Sequence, residues 1–281
     1  MTSKLRDFRW QNMGRVSALV REGIGGTLVI VPGAMADAAD WRNVASVLDT
    51  QLSVAIVNRV GRAPSALMPR GSTVQTEVQD VRGVLAQLQP PFYLVGWSYG
   101  GLLVLEASKG RLDVSSIVLY EPVCGPFAVD AVELIWQAID RQDLDYAVEL
   151  VITKVGNAPL QDVEALRDGA VWSKLKTLVV PAAIELSAIN NHSPDFAGFA
   201  TIPVPMTVVI GELNQNREPY GTATNRIAAN LSGVKMVRLM GQGHLAHLEQ
   251  PVQLAKILLE AAHISNVSIA CERQGPSESS T

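Results

Sequence analysis

Ser98 stands at the centre of Gly96-Trp97-Ser98-Tyr99-Gly100, with the apolar run Phe92–Val95 entering it and a helix-forming run leaving it. In that strand–turn–helix setting G-x-S-x-G makes a turn so tight that its central residue is strained and its side chain is pushed outward. Side chains two positions either side would meet neighbouring backbone, so glycine is wanted at 96 and 100. The bare pattern also arises by accident. The flanking strand and helix carry the reading of Ser98 as a nucleophile.

A serine hydroxyl is a poor nucleophile near neutral pH and needs an adjacent base to take its proton. His244 fits, in a glycine-flanked loop (Gly241-Gln-Gly-His244) after a late strand, where a side chain can turn toward the strand ends. His247 lies between Leu245 and Leu248 and reads as a packing residue. His192, in Asn190-Asn-His-Ser-Pro194, either faces solvent or lines a pocket, and His263 is a charge partner for the end of the last helix.

Placing these groups takes a sizeable scaffold, and 281 residues with 48% hydrophobic content supply one. The net charge of −4 gives no electrostatic case for binding nucleic acid or an anionic membrane surface. No apolar run approaches the ~18 residues that span a bilayer, and Met1–Gln11 lacks a signal-peptide core. Cys124 and Cys271 are too far apart to indicate a disulfide framework or a zinc site. The expectation is a cytoplasmic protein acting on a small molecule, with no cofactor, metal, nucleic acid or membrane.

The elements alternate. Val16–Val20 suits an edge strand, and 27–31, 53–57, 92–96 and 116–120 are continuous apolar runs of the kind buried on both faces. Helical patterns at 41–48, 73–88 and 99–109 separate them, the second with apolar Val74, Val78, Val81, Leu85 and Leu88. A mostly parallel sheet flanked by helices is the economical arrangement. From about 125 to 201 the rhythm breaks into helical patterns (129–140, 144–155, 161–175, 181–189). Strands at 206–211 and 235–239, with helices at 222–230 and 252–262, then resume it. The expected organisation is a core of 12–124 and 202–263, an inserted helical lid at 125–201, and a disordered tail at 264–281.

Four pieces, in order, resemble the α/β-hydrolase superfamily: Val29-Ile-Val-Pro-Gly-Ala34, Asn58-Arg-Val-Gly-Arg-Ala-Pro-Ser65, the 96–100 elbow, and Gly241-Gln-Gly-His-Leu-Ala-His-Leu-Glu-Gln-Pro251. The resemblance implies the α/β-hydrolase fold and an oxyanion hole made by the backbone N–H of Tyr99 and of Ala34 or Met35. It also implies a triad acid after the strand ending in Ile210-Gly-Glu-Leu-Asn214, where the expected Asp is Asn214. An amide stabilises imidazolium poorly, and the same exchange in a serine triad costs about 10⁴ in rate. Glu121, ending the strand after the elbow helix, and Glu212 compete for the role, and some branches of the superfamily place the acid at the former strand end. Glu121 is the first choice, with Glu212 and Asn214 as alternatives.

Trp97, Met35, Trp136, Trp172 and His192 are the expected pocket, although Trp136 also has the spacing of lid packing. Arg59 and Arg62 are read as structuring their loop. The leading function is a serine hydrolase cleaving an apolar ester, thioester or lactone through an acyl-enzyme. A non-hydrolytic enzyme on the same fold (cyclase, isomerase, lyase or acyl transferase) and a ligand-binding module with a vestigial triad stay open.

Overall fold

The computed structural model describes residues 8–48 and 50–262. In chain order the strands are β1 (Arg9–Met13), β2 (Val16–Arg21), β3 (Thr27–Val31), β4 (Ser53–Asn58), β5 (Phe92–Trp97), β6 (Val114–Tyr120), β7 (Met206–Gly211) and β8 (Lys235–Leu239). Helices α1 (Arg42–Val47), α2 (Val74–Leu85) and α3 (Tyr99–Ser108) precede β6. Between β6 and β7 come α4 (Val129–Asp140), α5 (Leu144–Leu150), α6 (Leu160–Arg167), α7 (Ala170–Asn190) and α8 (Phe196–Ala200). Then follow α9 (Tyr220–Ala228), α10 (Ala246–Glu249) and α11 (Pro251–Ala261).

The strands form one sheet in the order β1-β2-β4-β3-β5-β6-β7-β8. Pairing is antiparallel at β1–β2 and β2–β4 and parallel from β4 to β8. One apolar layer joins the sheet to α2, α3 and the inserted helices, and a second joins the opposite face to α1 and α11. Coverage on both sides is why β3 and β7 bury every residue and why their sequences run apolar without alternation. Helix α3 is buried over its whole length, as an all-round apolar helix must be. Parallel strands all aim their C-terminal ends at one edge, and there the loops after β3, β5, β6, β7 and β8 meet.

Three expectations change. Val16–Val20 is not the edge: β2 is fully buried between β1 and β4, and β1 takes the edge position. β1 escaped notice because its sequence, Arg-Trp-Gln-Asn-Met, is mostly exposed and mostly polar. The helix breaks expected around 175 and 181 are absent, because α7 runs 21 residues with Pro181 inside it. The proline ring packs closely against Gly61, where an added Cβ would lie 2.8 Å from Pro181 Cγ, so glycine leaves the room the ring needs. Finally, 144–155 ends in a π-helical turn at Val151–Val155. His263, Cys271 and the tail lie outside the described residues.

Candidate active site

Ser98 links β5 to α3 with φ 54° and ψ −125°, a conformation that L side chains rarely adopt. Its amide donates to Tyr120 O at 3.0 Å, and its carbonyl accepts from Gly101 N at 2.9 Å and Val123 N at 3.2 Å. The elbow is thus bolted to the end of β6. A Cβ at Gly100 would lie 2.0 Å from Val31 O, so only glycine admits this approach of α3 to β3. Ser98 is 7% exposed, and its hydroxyl makes no hydrogen bond among the described residues.

β5 and β6 pair Trp97 with Tyr120, so Ser98 and Glu121 are the next residues beyond one register line. Glu121 also has positive φ, 41°, and is 0% exposed. Its Oε2 lies 2.6 Å from Nδ1 of His244. Gly211 N donates to Oε1 at 2.8 Å, and Asn214 Nδ2 reaches Oε1 at 3.1 Å and Oε2 at 2.9 Å. A buried carboxylate needs its lone pairs satisfied, and these donors do it. Asn214 therefore serves the carboxylate and not the imidazole. Glu212 turns away, accepting from Gly241 N at 2.9 Å.

The histidine loop is held from three sides. Trp97 Nε1 donates to His244 O at 3.0 Å, and the hydroxyl of Tyr120 donates to Gly243 O and accepts from Ala246 N at 3.3 Å. Tyr220, first residue of α9, stacks on the His244 ring with centroids 3.6 Å apart and planes 10° from parallel. Burial, and then the Glu121 carboxylate, push the Tyr220 hydroxyl above the ordinary phenol range, so the ring covers the imidazole as a neutral group.

Across from the elbow, the turn after β3 carries Met35 at φ 56°. An added Cβ at Gly33 would fall 2.6 Å from Ser98 Cβ, so this turn runs directly against the serine. The amides of Ala34 and Met35 donate to no group among the described residues. Tyr99 opens α3, and its N–H has no carbonyl a turn earlier to bond. Ser98, Glu121 and Met35 all hold positive φ within one edge of the sheet, the clustering of strain expected where geometry serves chemistry.

The sequence profile of the family described as "Alpha/beta hydrolase family" matches residues 28–257. The chain belongs to that family. No curated protein sequence matches it. Among solved structures, an alpha/beta hydrolase from Sphaerobacter thermophilus superposes with a TM-score of 0.74 at 21% identity, covering 88% of this chain and 96% of the other. An esterase from Thermogutta terrifontis gives 0.68 at 18% identity, covering 87% and 92%. The enol-lactonase of Burkholderia xenovorans gives 0.68 at 15% identity, covering 91% and 100%.

In this alpha/beta hydrolase the expected pocket residues are not all drawn together. Trp97 packs behind the histidine loop, with its ring 5.9 Å from Trp41 and 4.3 Å from His247, and supports His244 instead of walling a cavity. Trp136 Nε1 donates to Ser187 Oγ at 3.0 Å and Trp172 Nε1 to Asp145 Oδ1 at 2.5 Å, tying α7 to α4 and α5. Indole N–H groups taken wholly or partly out of water need such partners, and both find them among the helices between β6 and β7. His192 Nε2 lies 2.8 Å from Glu106 Oε1, toward the far end of α3 from Ser98. Its place follows from Glu106, a buried carboxylate on α3 that also holds Lys109 Nζ at 2.6 Å.

A cavity of about 340 Å³ opens between the start of the insertion and α9, lined by Phe127, Ala128, Glu218, Pro219, Thr222 and Arg226 among others, and neither Ser98 nor His244 borders it. Cys124 is buried beside it, its thiol pushed up by burial, with Arg226 Nη2 3.0 Å from the sulfur. No cluster of three His, Cys, Asp or Glu able to hold a metal occurs among the described residues, and none of their helices is long and apolar enough to cross a membrane. Tyr220 and Tyr120 were missed from sequence. Tyr120 precedes Glu121 directly, but an aromatic ending a core strand is no signal of its own.

Proposed function

We propose that the protein is a serine hydrolase that cleaves a carboxylic ester, thioester or lactone of a small apolar substrate through an acyl-enzyme. The observation that carries this reading is the 2.6 Å contact between His244 Nδ1 and the buried Glu121 carboxylate. With Nδ1–H donated to Glu121, the lone pair of Nε2 is free to act as base. Ser98 Oγ attacks the acyl carbon as its proton passes to Nε2, and Glu121 stabilises the imidazolium that forms. The amides of Tyr99 and of Ala34 or Met35 receive the negative charge on the substrate oxygen. The imidazolium then protonates the departing alkoxide or thiolate. A water deprotonated by the same nitrogen attacks the acyl-serine and frees Ser98.

The fold neighbours that are an esterase and an enol-lactonase are compatible with this reaction class. A second reading, in which the same groups serve a non-hydrolytic acyl transfer, is favoured by the near-complete burial of Ser98, which limits water. A fluorophosphonate probe tests the shared premise. Labelling of Ser98 that disappears in His244→Ala is expected, and an unlabelled but folded wild-type protein overturns it. Hydrolysis of p-nitrophenyl acetate against transfer to an added alcohol then separates the two readings.

A further inference from the structure

Four charges lie sealed between the sheet and the insertion, and the proposed reaction uses none of them. Arg59 and Arg62 follow β4, Glu77 comes from α2 and Glu185 from α7, and all four are buried. Arg59 Nη1 donates to Glu77 Oε2 at 2.5 Å and to Glu185 Oε1 at 2.8 Å. Arg62 grips Glu185 with both terminal nitrogens, Nη1 to Oε1 and Nη2 to Oε2, the latter at 3.0 Å. Burial opposes each charge, yet the paired carboxylates hold the Arg59 pKa above its ordinary value and the two guanidiniums hold that of Glu185 below its own.

The remaining bonds of the cluster point one way. Arg59 Nε donates to Pro32 O at 3.0 Å, Arg59 Nη2 to Gly33 O at 2.8 Å and Arg62 Nε to Ala36 O at 3.1 Å. These carbonyls bracket Ala34 and Met35. On the other side Glu77 Oε1 accepts from the hydroxyl of Tyr99 at 2.8 Å, so both walls of the proposed oxyanion hole hang from one cluster. Helix α7 grips the same loop a second time, through Lys174 Nζ to Asp37 at 2.9 Å and Asp40 at 2.6 Å. The two grips sit roughly 16 Å apart along the helix.

We propose that α7 is a fixed strut for the oxyanion turn and that Glu185 is a positioning residue, aiming the Ala34 and Met35 amides through Arg59 and Arg62 without touching substrate. The inference rests on the serine-hydrolase reading above. Lifting α7 would uncover four charges and release the turn, so any opening for substrate belongs to other parts of the insertion. A buried ion cluster is weak support for stability as such, whereas its directional bonds fix geometry.

The test uses the full chain with Glu185→Gln, with Glu185→Gln/Arg62→Gln, which keeps the cluster neutral should the single variant fail to fold, and with Glu185→Asp. Hydrogen exchange of the Asp37 and Ala38 amides, which close the turn by donating to Asp40 Oδ2 and Asn58 Oδ1, is expected to speed up at least about tenfold while β5 and β6 stay protected. Per site titrated with fluorophosphonate, kcat for p-nitrophenyl acetate should fall about 10- to 100-fold with KM nearly constant and the pH profile unmoved. The Ki of a trifluoromethyl ketone, whose adduct oxygen occupies the hole, should rise in parallel, and Glu185→Asp should recover part of both. Wild-type kcat per titrated site with unchanged exchange at Asp37 and Ala38 overturns the proposal. So does a loss confined to melting temperature and titratable fraction. A loosened turn in a protein whose wild type shows no Ser98-dependent turnover upholds the strut and removes the hydrolase reading.

Discussion

His244, in the loop after β8, and His247, on α10, stand three residues apart, and both rings pack against Trp97, at 4.8 and 4.3 Å. His244 has a carboxylate 2.6 Å from Nδ1 and keeps some exposure. His247 is 1% exposed, stacks on Trp41 at 4.9 Å with planes 6° apart, and its Nδ1 finds no partner. Burial, with His244 and Lys174 adding positive charge nearby, pushes the His247 pKa down to about 3. The two share residue type, a short stretch of chain and a tryptophan neighbour. What separates them is one fully buried glutamate, which holds the ring proposed as the base and leaves the other a flat packing group.

The contrast can be broken by removing its cause. Glu121→Gln keeps the shape and leaves Asn214 and Gly211 a carbonyl to bond, but no longer stabilises imidazolium. We expect kcat for p-nitrophenyl acetate to drop about 10⁴-fold while the melting temperature changes little. Wild-type turnover in this variant would strike Glu121 from the triad. Asn214→Ala is the milder cut. It strips the carboxylate of the side-chain donor that reaches both oxygens, and a loss of roughly 10- to 100-fold in kcat is expected from a charge-assisted bond of this kind. No loss would mean that Gly211 and His244 suffice to hold Glu121 in place.

The smallest effect sharpens the other half. Because the His247 pKa is lowered in the folded state, the unfolded chain binds the extra proton between about pH 6.5 and pH 3. Stability contributed by neutral His247 is therefore present above pH 6.5 and lost as pH falls. His247→Phe keeps a ring for Trp41 and removes the titration. Between pH 6.5 and 5 the wild type should lose up to ~1.4 kcal/mol per pH unit more than the variant in urea unfolding. Parallel pH dependences would show that His247 is not held neutral.

Much of this architecture was legible in residues 27–120, where apolar runs, glycines and helix spacing agree over short distances. The α2 stripe Val74, Val78, Val81 and Leu85 is buried, and Thr73 caps the helix with Thr76 as its reciprocal partner. Local signals failed where a distant contact overrode them. Pro181 sits inside a helix with its ring against Gly61, and His192 meets the buried Glu106 carboxylate away from the expected pocket.

The sequence by itself determined the elbow around Ser98, the glycine-flanked loop of His244 and the strands that carry them, because turn chemistry and burial pattern are written in neighbouring residues. Tertiary structure alone decided which of Glu121, Glu212 and Asn214 faces the histidine, and that Glu185 meets Arg59 and Arg62. Those partners lie 123 to 126 positions apart in the chain. Their meeting depends on β6, β7 and β8 lying side by side and on α7 crossing the turn after β3, arrangements that no short stretch of residues encodes.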